Sequence, residues 1–453
     1  MRRVAVLLLL FLGMSLIIPI QQGAHDAGAQ SLLIFGFLVL GAYTIGELAS
    51  QVSLPKITGY LLTGVLFGPA LFGVLSAEVI EELAPVNSLA IALIAFLAGA
   101  ELRWKEVRDH LKALSIMLSS ELLLTFGLVV GTLLLLQEYI PFLQGLPFRE
   151  ALALSAVFGV VAIVHSPAVV LALLTETRAR GPVTRTILSI VLVADVVVVL
   201  AFSASLAIAR IVVPSSGDVS TISAGALAWE LGGSVLVGAA LGGAVALYLR
   251  FVERELMMFA IIIAFLGSEI SRLVHVETLL MLLVAGFVTE NTTRHGAEAL
   301  LRAMERSAAP VFVVFFALAG ASIHLDALAS IWPMAIAVVA ARATGIFAGT
   351  RIGGRLARVG DAERKYTWLG LVAQAGVAIG LATVLTEQYP ERGMQMRTLI
   401  LSVIAINELG GSILGRLALV RAGEVGKGEY GGDEGVSSEH GAPRRASEAV
   451  AGA

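Results

Sequence analysis

The sequence predicts an all-α polytopic membrane protein with about thirteen transmembrane helices. Three observations carry that reading. Hydrophobic residues make up 57% of the 453-residue chain and charged residues 14%, against roughly 45–50% and about 25% in soluble domains. The mean hydropathy is +0.90, so the polar groups are too few to cover a water-soluble protein of this size. The apolar residues fall in continuous, helix-length runs, not in the short alternating segments of a β-barrel. The 47 glycines show no three-residue period, which excludes collagen, and the apolar content excludes disorder.

The elements follow in chain order. Residues 1–29 read as a signal peptide: Arg2 and Arg3 form a basic start, Val4 to Ile20 an apolar run, and Ala27-Gly28-Ala29 a small-x-small site before Gln30. A retained first helix is the alternative. Thirteen apolar segments come next, at 31–49, 56–76, 88–102, 112–137, 149–175, 184–213, 222–250, 256–272, 276–291, 309–324, 331–354, 366–387 and 396–420. Every second loop is basic, with Arg103, Lys105, Arg108 and Lys112, then Arg178, Arg180 and Arg185, and later Arg351, Arg355, Arg358, Arg364 and Lys365. The positive-inside rule makes those loops cytoplasmic. Residue 31 is then outside and the C-terminus inside, and a leader would carry the N-terminus across. The transmembrane domain spans 30–421. Residues 422–453, rich in Gly, Glu and Ser, read as a disordered cytoplasmic tail.

Several function classes drop out. A net charge of −3 gives no reason to expect a nucleic-acid partner. The absence of cysteine removes disulfides, zinc–thiolate sites and iron–sulfur clusters. No Walker A loop, zinc-protease helix or nucleophile elbow is present, so neither an enzyme nor a cofactor is expected.

Ionisable groups at membrane depth are expensive and point to function. Asp195 stands alone in Val191-Leu192-Val193-Ala194-Asp195-Val196-Val197-Val198-Val199-Leu200, as an ion or proton site or as the partner of a buried base. His165-Ser166-Pro167 interrupts the fifth segment. Proline lacks the N–H and disfavours helix at the residue before it, so the helix breaks there, with His165 able to titrate and Ser166 to ligate. Arg342 lies deep in the eleventh segment, placed to neutralise a carboxylate or a half-helix end. Gln374-Ala375-Gly376 softens the twelfth, and Asn407 and Glu408 sit mid-way in the thirteenth. Glu121 and Glu269 also fall within spans, with a structural role and a transport role both open.

Segments two to six and nine to thirteen superpose as an inverted five-helix repeat. The fourth member of each carries the break, Ser166-Pro167 in one and Gln374-Ala375-Gly376 in the other. The fifth carries a mid-helix acid, Asp195 or Glu408. Paired interruptions of this kind mark a transporter site, with two broken helices crossing at the midplane.

At this point the chain resembles a monovalent cation:proton antiporter of the bacterial Na⁺- or K⁺-exchanging branch. The stretches that carry the likeness are Leu54-Pro55-Lys56-Ile57-Thr58-Gly59-Tyr60-Leu61-Leu62-Thr63-Gly64 with Gly68-Pro69, Phe96-Leu97-Ala98-Gly99-Ala100-Glu101-Leu102, and Phe315-Phe316-Ala317-Leu318-Ala319-Gly320-Ala321-Ser322. The resemblance implies a homodimer with a scaffold and a mobile core. It puts Asp195 at the ion-binding aspartate, Arg342 at the membrane-embedded base, and His165-Ser166-Pro167 on the unwound stretch. Ala194 stands where the family has Asn, Asp or Gln, and His165 where it has a hydroxyl residue.

The expectation is therefore electroneutral exchange of Na⁺ or K⁺ for a proton by alternating access in the cell membrane. Asp195, Ser166 and His165 bind the cation or proton, with Asp195 and Ser166 as metal ligands. Arg342 balances charge, Glu408, Gln374 and Asn407 are accessory, and Pro167 and Gly376 break the helices. The partners are the monovalent cation, the proton, the lipid bilayer and a second copy of the chain. A cation-conducting channel and a transport-inactive sensor of the same fold are the alternatives.

Overall fold

The computed structural model describes residues 27–100, 104–213, 224–251, 256–293, 296–323, 325–374 and 377–427. Among these the regular structure is helical. In order the helices are α1 (Ala27–Gln51), α2 (Lys56–Phe67), the short α3 (Ala77–Glu82), α4 (Ala84–Ala100), α5 (Trp104–Leu135), α6 (Phe148–Ala162), α7 (Pro167–Thr177) and α8 (Pro182–Val212). They continue with α9 (Ala224–Leu249), α10 (Leu256–Val274), α11 (Thr278–Thr292), α12 (Gly296–Ala321), α13 (Leu325–Leu356), α14 (Asp361–Gly370), α15 (Val377–Gln388) and α16 (Pro390–Ala422). Among the described residues seven helical spans are long and apolar enough to cross a membrane, and five shorter helices are apolar. The chain is a multi-pass membrane protein.

The helices pack as two bodies. One holds α1, α2, α4 and α9 to α12, and the other holds α5 to α8 and α13 to α16. The main contacts between the bodies are made by α7 with α2, α4 and α12, and by α16 with α2. Hydrogen bonds reinforce this thin seam: Lys56 N donates to both carboxylate oxygens of Glu176 at 3.0 Å, and Thr58 Oγ1 lies 2.9 Å from Ser412 Oγ.

Several helix pairings have a counterpart when the two expected repeat sets are exchanged. Helix α2 packs on α12 as α4 does on α11, α5 packs on α13, and α6 meets α8 as α14 meets α16. Lipid offers no hydrophobic drive between helices, so close backbone approach through small residues holds such pairs. A Cβ on Gly64 would overlap the Ala317 carbonyl, and one on Gly320 that of Leu61.

The leader at 1–29 lies outside the described residues except for Ala27 to Ala29, which open α1. At the other end the packing runs past 421. Glu424 is 3% exposed and accepts hydrogen bonds from Val183 N at 2.8 Å and from Thr184 N and Oγ1, both at 2.7 Å. It thereby satisfies orphan N–H groups in the first turn of α8. The boundary at 421/422 therefore cuts a folded joint, and residues 428–453 lie outside the described residues.

Candidate functional site

The fifth and twelfth expected segments are each split in two. Helix α6 ends at Ala162, residues 163–166 leave the helix, and α7 restarts at Pro167. Proline suits that first position because its N–H would have no intrahelical acceptor there. Ser166, extended at φ −113° and ψ 101°, caps α7 by accepting from Val169 N at 3.3 Å. Helix α14 ends at Gly370, residues 371–374 are non-helical, and α15 starts at Val377. Gly376, expected as the second break, lies outside the described residues, as does Ala375.

Arg342 joins the two breaks. It is fully buried on α13. Its Nε donates to Ala162 O at 2.6 Å, Nη2 to Val164 O at 2.8 Å, and Nη1 to Val372 O at 2.6 Å. Nη2 also stands 3.4 Å from Leu371 O. These carbonyls are the loose C-terminal ends of α6 and α14. Each end carries roughly half a negative charge, so one guanidinium matches two ends, and its rigid fork reaches carbonyls on both.

Gln374 and Asn407 extend the joint. Gln374 Nε2 donates to Val161 O at 3.0 Å, and Asn407 Nδ2 donates to Gln374 Oε1 at 3.0 Å. The second break is thereby bonded to the first and to α16.

His165 was expected beside Ser166 as a binding group, but both of its ring nitrogens are engaged elsewhere. Nδ1 lies 2.8 Å from Leu371 O and Nε2 lies 3.2 Å from Glu121 Oε2. A carbonyl can only accept, so Nδ1 carries a hydrogen. Thr125 Oγ1 donates to the other oxygen of Glu121 at 2.9 Å. The sequence leaves both a structural and a transport role open for Glu121 and gives no signal for Thr125. What places them here is a ridge of Gly345, Gly349 and Gly353 on α13, where a Cβ would collide with Thr125, Glu121 and Met117 of α5.

Two acids stand outside this bonded network. Asp195 on α8 is 7% exposed, and neither carboxylate oxygen has a hydrogen-bond partner among the described residues. Glu408 on α16 is 2% exposed, and its Oε1 has no partner. A carboxylate buried without donors needs a counter-charge or a proton. Neither Ser166 nor His165 is hydrogen-bonded to Asp195. Glu269 pairs with Arg272 on an exposed face at 2.6 Å and stands apart from the site.

Comparison with known proteins bears on this arrangement. A family model described as "Sodium/hydrogen exchanger, transmembrane" matches residues 35–420. The chain is 30% identical over 102 residues to the "Probable Na(+)/H(+) antiporter GerT" of Bacillus cereus, across 22% of this chain and 26% of that protein. It is 29% identical over 163 residues to the "Iron transporter MagA" of Paramagnetospirillum magneticum, across 36% and 34%. The chain thus spans about a quarter to a third of the length of these two relatives. Two structures of the sodium proton antiporter MjNhaP1 from Methanocaldococcus jannaschii share the fold at 15% identity, with TM-scores of 0.63 and 0.64. They align with 87% and 88% of this chain and with 96% of each of theirs.

Proposed function

The chain belongs to the sodium/hydrogen exchanger family, and from that premise we propose that it is a secondary antiporter exchanging a monovalent cation, Na⁺ or K⁺, for a proton at Asp195. The observation that carries this reading is the buried, unpartnered carboxylate of Asp195 on a helix packed against both broken pairs. A cation and a proton each neutralise it, and they exclude one another, which couples the two fluxes. Ser166 ends the first break with a hydroxyl oxygen that accepts one backbone N–H and keeps a second lone pair, which suits it to be the second cation ligand. The thin seam between the bodies suits rigid motion of α5 to α8 and α13 to α16 against the scaffold.

The charge count favours one cation per proton. Arg342 is matched by two helix ends and Ala194 cannot titrate, so of the two buried acids with unpartnered oxygens Asp195, unpartnered at both, is the exchanging group. The expected inverted repeat is part of the same reading, supported by the matched helix pairings. So are the homodimer of the family resemblance and a cell-membrane orientation with the N-terminus outside, which follows the alternating loop charge.

The test is proteoliposome flux with Na⁺, K⁺ and Li⁺ in parallel, with the membrane potential imposed independently of the ion gradients. Proton movement driven by a cation gradient, with a balance point indifferent to the potential, is the expected result. A balance point that shifts with the potential refutes one-for-one exchange. Currents far above carrier turnover refute antiport itself.

A further inference from the structure

Behind the breaks lies a carboxylate that exchange at Asp195 does not use. Glu121 of α5 is completely buried, and both oxygens are engaged, Oε1 by Thr125 and Oε2 by His165. His165 carries the contact on to Leu371 O, the carbonyl end of α14. A continuous chain of polar contacts therefore runs from α5, through the residue beside Ser166, into the second break. Arg342 of α13 is the charged group facing the same spot, with Nη2 3.4 Å from His165 Nδ1, and its charge is already matched by the two helix ends.

The glycine ridge makes this chain stiff at its root. Gly349 lets α13 approach so closely that a Cβ there would meet the Glu121 backbone, and Gly345 does the same at Thr125. The Glu121 backbone is thus set against α13, its carboxylate is held by a residue one turn along, and its far oxygen sets the imidazole. The imidazole in turn occupies the first break and bonds the second.

The geometry points to Glu121 as a positioning residue for the exchange. Acting through His165, it sets where the Leu371–Gln374 break lies against His165–Ser166, and it does so without exchanging a proton itself. This rests on the antiport reading. It separates Glu121 from the acids that lack partners: those are free to take up a cation, whereas every oxygen of Glu121 is committed.

The substitution that decides is Glu121→Gln. An amide offers an N–H to His165 Nε2 and an oxygen to Thr125, so it keeps both contacts without a titratable group. Glu121→Leu keeps bulk and removes both bonds. Thr125→Val removes one bond and serves if the leucine variant does not fold. Half-saturating cation concentration and maximal rate are measured in proteoliposomes with Na⁺, K⁺ and Li⁺, alongside cation-dependent thermal stabilisation of the same full-length preparations. Glu121→Gln is expected to stay within about twofold of the parent in both constants, with the same cation-to-proton ratio. Glu121→Leu is expected to raise the half-saturating concentration about tenfold, and Thr125→Val about threefold, as buried polar groups lose partners.

Loss of exchange or a changed ratio in folded Glu121→Gln would make Glu121 a proton carrier and overturn the proposal. Parent-like constants in both Glu121→Leu and Thr125→Val would reduce it to packing. If the parent protein is stabilised by a cation yet exchanges none, the antiport reading falls. The same ranking of variants in the stabilisation midpoint then upholds or refutes the positioning role. If the parent shows neither exchange nor cation-dependent stabilisation, both readings fall together.

Discussion

Replacing Arg342 tests the joint between the breaks. The guanidinium supplies the N–H for Ala162 O, Val164 O and Val372 O at 2.6–2.8 Å. A buried acceptor that loses its partner costs about 1–3 kcal/mol, so Arg342→Ala leaves three acceptors and a loss of roughly 3–9 kcal/mol. Water entering the space left by the side chain brings the figure toward the low end, about 4 kcal/mol. The substitution also uncovers about one full negative charge, the sum of two helix ends at roughly half a charge each. Arg342→Lys restores that charge, but it donates from a single point and cannot hold carbonyls on two separate breaks as a fork does, so about half of the loss remains. At about 2 °C per kcal/mol for a large domain, the melting temperature in detergent should fall by roughly 8 °C for alanine and about 4 °C for lysine. Exchange should be lost in the first and partly kept in the second. Thermal unfolding followed by size-exclusion chromatography gives the stabilities, and proteoliposome flux gives the activities. If Arg342→Ala melts within about 1 °C of the parent and exchanges normally, the guanidinium does not join the breaks and the charge count fails with it.

Three further outcomes are expected. Asp195→Asn keeps the side-chain volume and removes the exchangeable charge, so it should fold and insert normally and lose cation-dependent proton flux; near-parental flux from well-folded protein would remove Asp195 from the site. The chain has no cysteine, so Thr58→Cys with Ser412→Cys gives a defined pair across the seam where the two hydroxyls lie 2.9 Å apart; oxidation should block exchange and a reductant restore it, while full exchange by completely cross-linked protein would show that the bodies do not part there. His165→Thr strands the Glu121 carboxylate with Thr125 alone, so adding Glu121→Gln should recover stability; equal melting temperatures for the single and double variants would mean the two residues are uncoupled.

The sequence exposes the groups that lipid cannot tolerate better than it exposes their partners. Asp195, Arg342 and the Ser166-Pro167 break stand out because an ionisable side chain or a proline is improbable in an apolar run. The partners of Arg342 are backbone carbonyls, which carry no residue identity and become special only where a helix ends. The sequence puts His165 in the binding group because an imidazole in an unwound stretch can titrate. Neighbours in an unwound stretch point in different directions, and its actual contacts are 206 and 44 residues away. Glu121 needed the ridge at 345, 349 and 353 to be recognised, a four-residue glycine spacing that is visible in the sequence and brings α5 against α13. Glu424 was missed for a different reason: the composition of the tail is polar from its start, while the residue that ends the fold does so through helix-start N–H groups far away in sequence.

The distribution of satisfied and unsatisfied polar atoms argues for where exchange happens. At the breaks the long polar side chains are bonded to carbonyls or to each other: Arg342, His165, Gln374, Asn407 and Glu121 form one set connected through the two breaks, with Arg342 and His165 meeting at Leu371 O. A cation entering that set would have to displace a bond that holds two half-helices together, which would loosen the joint each time the protein turned over. A carboxylate outside the set can gain and lose a ligand while the joint stays fixed. Asp195 and Glu408 both qualify by position, one on each helix that follows a break, but they are not equivalent. Asp195 lacks partners at both oxygens and is 7% exposed, whereas Glu408 lacks one at Oε1 and is 2% exposed. Both oxygens of Asp195 are buried without a donor, against one of Glu408, so a proton or cation taken up at Asp195 relieves the larger desolvation. The bonded set then serves the complementary need, a rigid body whose seam with the scaffold is narrow enough to move.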